Sequence, residues 1–484
     1  MVQGTPPRGR WMQAVASLRD AGTAAGSVNM NEISLLRRSE LLSALSCALD
    51  LSEGEPYGHA ARSCLIAMRL GGALALGPVM LENLYYATLL KDAGGPATAA
   101  GLADLFACDD HAIKQDLRIS DWARRLEFAQ IAARVADRRD PFPRRVRRVL
   151  KIAATGPRGL SELMRTRGAR GAAIAGRLGL SEAATGAIRH LNEHWDGRGL
   201  PDGSRGEAIP LLARIVLLAQ TIDAVHVRHG LNAAFDVARR RRATWFDPNL
   251  VDTLWTLRDD RDWWEALLHD DLVAQVAAAE PGDRTGYLGD DGIDDVAAAF
   301  AEITETKTTF TRGNAAEVAT LSVALARTCG MGPAGQRRVH HAALLHDIGT
   351  LGISHRILAK PGPLTQEEHK TIERHPIDTW EILSRAPALE EVAAVAAAHH
   401  ERLDGSGYPK ALTSKELDLS SRILAVADVY VALISERPYR PAIPSEVALA
   451  LLRSDADEGR FDPRMVRALS RLLVEAPSPV VPVS

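Results

Sequence analysis

Histidine and aspartate recur through the second half of the chain in a pattern that could bind metal ions. The residues are the adjacent pair His346 and Asp347, followed by His375, His399, His400 and Asp428. Imidazole nitrogen and carboxylate oxygen suit iron, manganese or zinc better than calcium. Neighbouring residues on a helix diverge by about 100°, so His346 and Asp347 can approach a metal from two directions. A His-Asp pair alone is more often an exposed polar pair, but the downstream residues favour metal binding.

The elements that must position these residues are predicted to be helices. Segments such as ISLLRRSELLSALSCALDL and AAEVATLSVALARTC repeat apolar residues at i, i+3, i+4 and i+7. Alternation of aromatic or β-branched residues is almost absent, and turns such as DGRGLPDG and DGSGYPKAL separate the helical patterns. The sequence therefore predicts an all-α fold.

Composition narrows the functional classes. The chain has 484 residues, of which 46% are hydrophobic and 25% charged, enough for more than one buried core. The net charge of −3 gives no global basic excess, so specific nucleic-acid binding is not expected. Apolar runs fall short of the roughly 18 residues of a membrane helix, and the four cysteines form no CxxC pair. These features predict a cytoplasmic protein without membrane contact.

The two halves of the chain share motifs in the same order. LLKDAGG, which contains Lys91, parallels LLHDIGT, which contains His346, and NEHWDGRGLP parallels HHERLDGSGYP. LLARIVLLAQTID and WFDPNLVDTL likewise parallel LSSRILAVADVY and RFDPRMVRAL. Shared order over four motifs indicates an internal duplication. The first copy is longer, because extra residues separate its first two motifs.

The predicted domain boundaries follow from this duplication and from composition. They are a disordered N-terminus at 1–30, a first domain at 31–276 with an insertion around 96–160, a linker at 277–292, a second domain at 293–475, and a tail at 476–484. The linker sequence, AAAEPGDRTGYLGDDG, is rich in turn-forming residues. We expect the two domains to pack as an intramolecular pseudo-dimer.

The second half resembles the HD-GYP domain family, the cyclic-dinucleotide phosphodiesterase branch of the HD superfamily of metal-dependent phosphohydrolases. The matching motifs are HDIGTLGI, ILAKPGPLT, the His-Pro pair at 375–376, the His-His-Glu run at 399–401, DGSGYP, RILAVADVY and RPYR. The first half resembles a degenerate copy. The resemblance implies tandem HD-type helical bundles that bind two divalent metal ions, iron or manganese, with zinc and magnesium as alternatives.

The resemblance also implies roles for individual residues. One metal would be bound by His346, Asp347 and Asp428, and the other by Asp347, His375, His399 and His400. Asp347 would bridge the metals and is a catalytic candidate, with a bridging hydroxide as nucleophile. The predicted substrate-binding residues are Lys360, Gly407, Tyr408, Pro409, Arg437 and Arg440, the cations for phosphate and the GYP loop for a base or a partner domain.

Two positions depart from the family pattern. Asn314 stands where the family has an early histidine, and an amide oxygen is a weaker ligand, so the first metal site should be weakened. Thr350, the second catalytic candidate, occupies the lysine position of HDIGK and cannot supply positive charge.

The first copy has lost most of the ligand positions. Lys91, Arg167 and Gln220 replace a histidine, a histidine and an aspartate, and Leu191 with Asn192 replaces the histidine pair. His59 and Asp92 remain at ligand positions. Cations in place of ligands repel a divalent metal, so this copy is predicted to be metal-free.

Two functions follow. The first is a metal-dependent phosphodiesterase that hydrolyses a cyclic dinucleotide such as cyclic di-GMP, or a related phosphate ester, in bacterial signal transduction. The second is a weakly active or inactive scaffold that binds a nucleotide or a signalling protein. The retained ligands favour hydrolysis, whereas Asn314 and Thr350 favour the scaffold.

Overall fold

The fold is built from helices in the part of the chain that the structure describes. The computed structural model describes residues 8–23, 36–106, 108–120, 142–269, 272–282, 287–308, 312–438 and 440–475. Within these residues, the short strands Leu36–Arg37 and Tyr287–Leu288 pair with each other. The all-α prediction is confirmed. None of the helices searched in these ranges is long and apolar enough to cross a membrane.

The chain divides into two compact units. The N-terminal unit comprises Arg37–Leu288 with Ser354–Arg356, and the described residues of the C-terminal unit fall within Met1–Leu36, Gly289–Ile353 and Ile357–Ser484. The described residues 8–23 therefore belong to the C-terminal unit.

The helices of the N-terminal unit are Arg38–Ser52, His59–Ala73, Pro78–Leu89, Ala99–Phe106, Asp110–Ile119, Phe142–Arg177, Glu182–Arg189, Leu211–His229, Leu231–Arg240, Pro248–Thr256, Arg261–Ala266 and Leu272–Ala278, with 3-10 turns at Pro96–Thr98 and Gly206–Ala208. Those of the C-terminal unit are Arg8–Thr23, Asp290–Glu305, Asn314–Thr328, Pro333–Leu345, Gln366–Glu373, His375–Leu383, Glu390–Ala397, Leu419–Ile434, Ser445–Asp457 and Pro463–Glu475, with 3-10 turns at Ile348–Gly352 and Pro387–Leu389. The short helix His355–Leu358 spans a boundary between the two units along the chain.

Corresponding helices in the two units begin in the same way. Gly58 and Gly313 have φ angles of 88° and 84°, in the left-handed region that favours glycine, and each precedes the first residue of a helix. The Glu305 carboxylate accepts the backbone N–H groups of Gly313 at 2.6 Å and Ala315 at 2.7 Å. Asp50 binds the start of the other helix through two equivalent bonds of 2.9 Å. The duplication read from the motifs thus extends to the capping of equivalent helices.

The predicted disordered N-terminus is wrong for residues 8–23, which form a helix. Trp11, Ala14, Val15 and Leu18 are buried, and their spacing places them on one helical face. This apolar stripe was present in the sequence but was obscured by the glycines and prolines around it. The remaining residues of the predicted 1–30 segment lie outside the described part of the chain, as does the predicted tail at 476–484.

The predicted linker at 277–292 is shorter than expected. The helix Leu272–Ala278 ends inside it and the helix Asp290–Glu305 begins inside it. Glu280, in the same segment, accepts hydrogen bonds from the hydroxyls of Ser39 at 2.7 Å and Tyr86 at 2.5 Å. The first part of the segment is therefore a packed part of the N-terminal unit, because its polar atoms bond to the helices beside it.

The predicted insertion around 96–160 contains helices. Ala99–Phe106, Asp110–Ile119 and the first part of Phe142–Arg177 lie in this range, and residues 121–141 are outside the described part of the chain. Buried apolar side chains that include Leu102, Phe106, Ile113 and Leu160 form one cluster. The insertion therefore adds its own apolar packing to the N-terminal unit.

Candidate metal centre

The six predicted metal ligands come from four segments of the C-terminal unit. They are His346 and Asp347 after the helix Pro333–Leu345, His375 at the start of His375–Leu383, His399 and His400 after Glu390–Ala397, and Asp428 within Leu419–Ile434. The Thr379 hydroxyl accepts the Gly349 backbone N–H at 3.1 Å and donates to the His346 carbonyl at 2.9 Å. A Cβ atom on Gly349 would lie 2.1 Å from the His375 carbonyl oxygen, so only glycine permits this contact.

The potential ligand atoms converge around the two carboxylates. His346 Nε2 lies 3.5 Å from Asp347 Oδ2 and 3.5 Å from Asp428 Oδ1. Asp347 Oδ1 lies 3.3 Å from His375 Nε2 and 3.7 Å from His399 Nε2. Two triads, His346-Asp347-His399 and His375-His399-His400, each have potential ligand atoms within 4.8 Å of one another. The two triads share His399, and Asp347 of the first triad also lies close to His375 of the second.

The orientation of three histidines is fixed by backbone carbonyls. Nδ1 of His346, His375 and His399 lies 2.7, 2.6 and 2.6 Å from the carbonyl oxygens of Ala343, Ile372 and Ala396, respectively. These bonds place a proton on each Nδ1, so the neutral ring presents an Nε2 lone pair to the centre. Metal-binding histidines are commonly oriented in this way.

The arrangement suits a bound cation. His375 Nε2 and His399 Nε2 lie 3.1 Å apart, although both rings already use an Nδ1–H group toward the backbone. Two neutral rings in this tautomer direct lone pairs at each other, which is favourable only when a positive charge lies between or beside them. Nitrogen and carboxylate donors without sulfur match iron, manganese or zinc. The residues present therefore fit the divalent metal of the predicted site.

The charge distribution favours the same conclusion. Burial opposes ionisation of Asp347, but His346 and His375 hold the pKa of this carboxyl well below its usual range. Burial also opposes charge on His346, but Asp347 and Asp428 raise its pKa to about 9, so without a metal this ring carries a second proton that metal binding would release. Burial, with His346 nearby, lowers the pKa of His399 to about 3. Negative charge is thus concentrated on the carboxylates, and His399 is neutral, as metal binding requires.

The position without the family histidine has a different partner. Asn314 is the first residue of its helix, and its amide oxygen accepts a hydrogen bond from the Ser435 hydroxyl at 3.3 Å. The His346 side of the centre therefore has no imidazole from this helix. A weaker first metal site stays a prediction.

The position without the family lysine also has a local role. The Thr350 hydroxyl donates to the Asp347 carbonyl at 2.6 Å, which stabilises the turn after the His-Asp pair. Lys307, which sequence analysis missed, is buried and donates from Nζ to the Leu351 carbonyl at 2.6 Å. A buried cation therefore lies beside this turn. Lys307 lies in no motif shared by the two halves, and Ser52 occupies the equivalent position of the first copy.

The predicted phosphate-binding cations Lys360 and Arg440 have partners within the chain. Lys360 Nζ forms an ion pair with Glu368 at 2.6 Å. The Arg440 guanidinium donates to the carbonyls of Ala432, Leu433 and Pro441, at the end of the helix Leu419–Ile434. These contacts cap the end of that helix, and the phosphate-binding role of Arg440 stays a prediction. Arg437 is half-buried and pairs with Arg440 through the backbone.

The GYP loop does lie beside the candidate ligands. The Tyr408 ring centroid is 4.8 Å from that of His400, and the Tyr408 backbone N–H donates to the His400 carbonyl at 3.3 Å. A Cβ atom on Gly407 would lie 2.4 Å from the Arg402 backbone nitrogen, so glycine is required at this approach. The peptide bond before Pro409 is cis. Glu401 accepts two backbone N–H bonds from the residues that follow the loop.

The equivalent place in the N-terminal unit holds a network of charged side chains. Arg118, from the inserted helix Asp110–Ile119, donates to Glu53 at 2.9 Å, Asp92 at 3.3 Å and Gln220 at 3.0 Å. Arg167 bonds to the same two carboxylates, and Lys91 forms an ion pair with Asp92. Arg118 also lies 2.6 Å from His59 Nε2, whose Nδ1 faces Asp223 at 2.6 Å. Guanidinium and ammonium groups thus neutralise the carboxylates where the other unit has metal-ligand candidates.

A separate cluster in the N-terminal unit contains His190, Glu193 and Asp202, with potential ligand atoms within 4.8 Å. Glu193 Oε1 accepts the Asp202 backbone N–H at 2.8 Å, just as Glu401 accepts that of Lys410 at 2.7 Å. This parallel assigns Glu193 to the loop-anchoring role that Glu401 has.

Comparison with known proteins identifies the family. The model of the HD domain family matches residues 161–250 and 298–465, which together exceed half of the chain. The chain therefore belongs to the HD domain family, and the predicted HD-GYP resemblance is confirmed. Its enzyme class, a metal-dependent phosphodiesterase, accords with this membership and with the donor cluster.

The similar proteins differ in how much of the chain they cover. The 3'3'-cGAMP-specific phosphodiesterase 3 of Vibrio cholerae is 35% identical over 90% of this chain and 94% of its own length. The response regulator RpfG of Xanthomonas campestris, a cyclic di-GMP phosphodiesterase, is 44% identical over 30% of this chain and 39% of its own length. The crystal structure of the V. cholerae cyclic GMP-AMP phosphodiesterase V-cGAP3 matches with a TM-score of 0.65 and 32% identity, and covers 91% of this chain and 99% of that one.

Proposed function

We propose that the protein hydrolyses a cyclic dinucleotide, with 3'3'-cGAMP as the preferred substrate. The observation that carries this proposal is that the cGAMP-specific relative matches 90% of the chain, both units included. The RpfG relative, a cyclic di-GMP phosphodiesterase, matches only 30% of it. Cyclic di-GMP, the substrate that the HD-GYP motifs suggest, is the second candidate for the same site.

The retained donor set supports hydrolysis at the C-terminal unit. His346, Asp347 and Asp428 would hold one divalent metal, and Asp347 would share the other with His375, His399 and His400. When bound, such metals acidify a water molecule and neutralise the charge of the phosphodiester. The chain supplies the rest of the chemistry. The carbonyls behind three histidines hold the rings in orientation, and Asp347 and Asp428 remain ionised.

The GYP loop would orient the substrate. Tyr408 is partly exposed and lies against His400. Its ring can therefore form one wall of the space beside the ligands and contact a nucleobase. Gly407 lets the loop approach the His399–Glu401 backbone closely, and Glu401 anchors the residues after it. A loop fixed in this way can present a rigid surface to the substrate.

The first test compares hydrolysis of 3'3'-cGAMP and cyclic di-GMP by the full chain loaded with manganese, followed by chromatography. Because metal binding needs all retained ligands, His375→Ala and Asp347→Ala should each lower kcat/KM by at least about 100-fold. His369→Ala, an exposed histidine of the same unit, is the matched control and should retain activity.

The outcomes separate the alternatives. Faster cleavage of 3'3'-cGAMP supports the proposed substrate, and faster cleavage of cyclic di-GMP replaces it with the second candidate. Nucleotide binding without cleavage would instead support the scaffold function that Asn314 and Thr350 suggest. A protein that neither binds nor cleaves either nucleotide would overturn the proposal.

A further inference from the structure

The helix Arg8–Thr23 is part of the C-terminal unit, although about 250 residues of the N-terminal unit separate it from the rest of that unit in the sequence. Its buried face includes Trp11, Val15 and Leu18, with exposures of 2%, 7% and 4%. Met12, which follows Trp11 in the sequence, is exposed. The helix is therefore docked through a defined apolar face.

The first contact of this face reaches the helix that carries His375. The Trp11 ring stacks on Trp380 with centroids 5.4 Å apart and planes 13° apart. Trp380 is buried in the helix His375–Leu383, whose first residue is the candidate ligand. Trp11 therefore packs against the same short helix that positions His375.

The second contact reaches the helix that precedes His399 and His400. The helix Arg8–Thr23 packs against Glu390–Ala397, and Arg10 forms an ion pair with Glu390 at 3.4 Å. The carbonyl of Ala396 in that helix holds Nδ1 of His399 at 2.6 Å. The packed helix thus includes the atom that orients this ring.

The third contact reaches the end of the GYP loop. Lys410 Nζ lies 5.2 Å from the centroid of the Trp11 ring, within the range of a cation–π interaction. Lys410 follows Pro409, and its backbone N–H donates to Glu401 at 2.7 Å. Glu401 in turn follows His400 in the sequence.

We propose that Trp11 is a positioning residue for the metal centre. Through Trp380, the helix Glu390–Ala397 and Lys410, its helix contacts the three segments that carry His375, the His399-His400 pair and the GYP loop. Small displacements of metal ligands or of a substrate-orienting loop have large effects on rate, so packing behind these segments affects catalysis. The expected effect on kcat rests on the proposed function, whereas the expected effect on metal affinity requires only that the site binds a metal.

The test uses the full chain with Trp11→Ala, Trp11→Phe and Met12→Ala. Manganese affinity is measured by isothermal titration without nucleotide, and kcat and KM are measured separately, all well below the melting temperature. Trp11→Ala should weaken metal affinity and lower kcat by about 10-fold or more, the range seen when support behind metal ligands is lost. Trp11→Phe should recover most of both quantities, because a ring that stacks on Trp380 is retained.

The controls make the inference falsifiable. Met12→Ala changes an exposed apolar residue of the same helix and should behave as the wild type. Lys410→Ala removes the cation above the ring without opening the core, and should give a smaller loss of kcat. A Trp11→Ala protein with a lower melting temperature but unchanged metal affinity and kcat would show a purely structural helix and would overturn the inference.

Failure of the proposed function gives a different pattern. Wild-type protein that binds manganese but cleaves neither nucleotide, with weaker binding in Trp11→Ala, would refute the function and support the positioning role. Wild-type protein that binds no manganese would overturn both.

Discussion

The carbonyls behind His346, His375 and His399 show how single residues prepare the site. Each ring is held through Nδ1, so the geometry of Nε2 depends on helix ends and not on flexible side chains. The weak point at this scale is Asn314, whose amide oxygen accepts a bond from Ser435. Replacing this one residue tests whether the first metal site is limited by a missing imidazole.

We predict that Asn314→His increases metal loading. Imidazole is a stronger ligand than an amide for iron or manganese, so the His346-Asp347-Asp428 side should bind more tightly, with manganese affinity higher by about 10-fold. Elemental analysis and titration of the full chain measure the stoichiometry and affinity. Asn314→Ala should not show the increase, and a histidine variant with unchanged loading would mean that Asn314 does not limit this site.

In the first copy, the repeated helices keep the backbone of the metal centre, whereas the inserted helix adds a cation to it. The repeated helices keep the backbone arrangement that surrounds the metal centre in the other unit. A Cβ atom on Gly94 would lie 1.9 Å from the Arg167 carbonyl oxygen, just as one on Gly349 would lie 2.1 Å from that of His375. The inserted helix Asp110–Ile119 adds Arg118, which has no counterpart in the other copy. Its guanidinium joins Arg167 and Lys91 in supplying positive charge beside Glu53 and Asp92.

We predict that Arg118→Met destabilises the protein by about 1–3 kcal/mol, because it removes one of the cations that neutralise the buried carboxylates of Glu53 and Asp92, while Arg167 still bonds to both. Arg118 has 5% side-chain exposure, and Glu53 and Asp92 have 1% each. Urea unfolding of the full chain measures the effect. Arg118→Lys retains the charge and should lose less, whereas equal stability of the Met variant and the wild type would rule out this role.

The limits of sequence analysis follow from these elements. The duplication and the ligand candidates were predictable, because they depend on residue types that recur in order in the sequence. Arg118 was missed because an inserted residue has no aligned partner, and its contacts with Glu53 and Asp92 exist only in the folded unit. The Arg8–Thr23 helix was missed although its apolar spacing was visible, because composition was given more weight than periodicity. The contacts of Arg440 with backbone carbonyls could not be predicted, because its motif does not reveal where the chain places those carbonyls.

At the scale of the whole molecule, the N-terminal unit contains buried histidines whose pKa values are lowered by their surroundings. Burial, with Lys91 and Arg118 nearby, lowers the pKa of His59 to about 4. Burial lowers the pKa of His194 to about 3, and its ring stacks on Trp245 with centroids 4.2 Å apart. In the unfolded chain both groups have ordinary pKa values near 6.5. Below that pH the unfolded state binds protons that the folded unit excludes.

We therefore predict that acidification destabilises the N-terminal unit. A histidine with a lowered folded-state pKa contributes stability that is present above about pH 6.5 and is lost as the pH falls toward the folded value. Between pH 7 and pH 5 each histidine should contribute a loss of about 2 kcal/mol. Asp50, whose pKa burial raises to about 7, takes up a proton in the folded unit over the same range and offsets part of this loss. Urea unfolding followed by tryptophan fluorescence at both pH values measures it, with Trp245 as a reporter beside His194. His194→Asn should reduce the loss of stability between pH 7 and pH 5 by about 2 kcal/mol, the contribution of this one histidine. His229→Asn, at an exposed position, should leave it unchanged, and a His194→Asn variant with the full dependence would disprove the assignment.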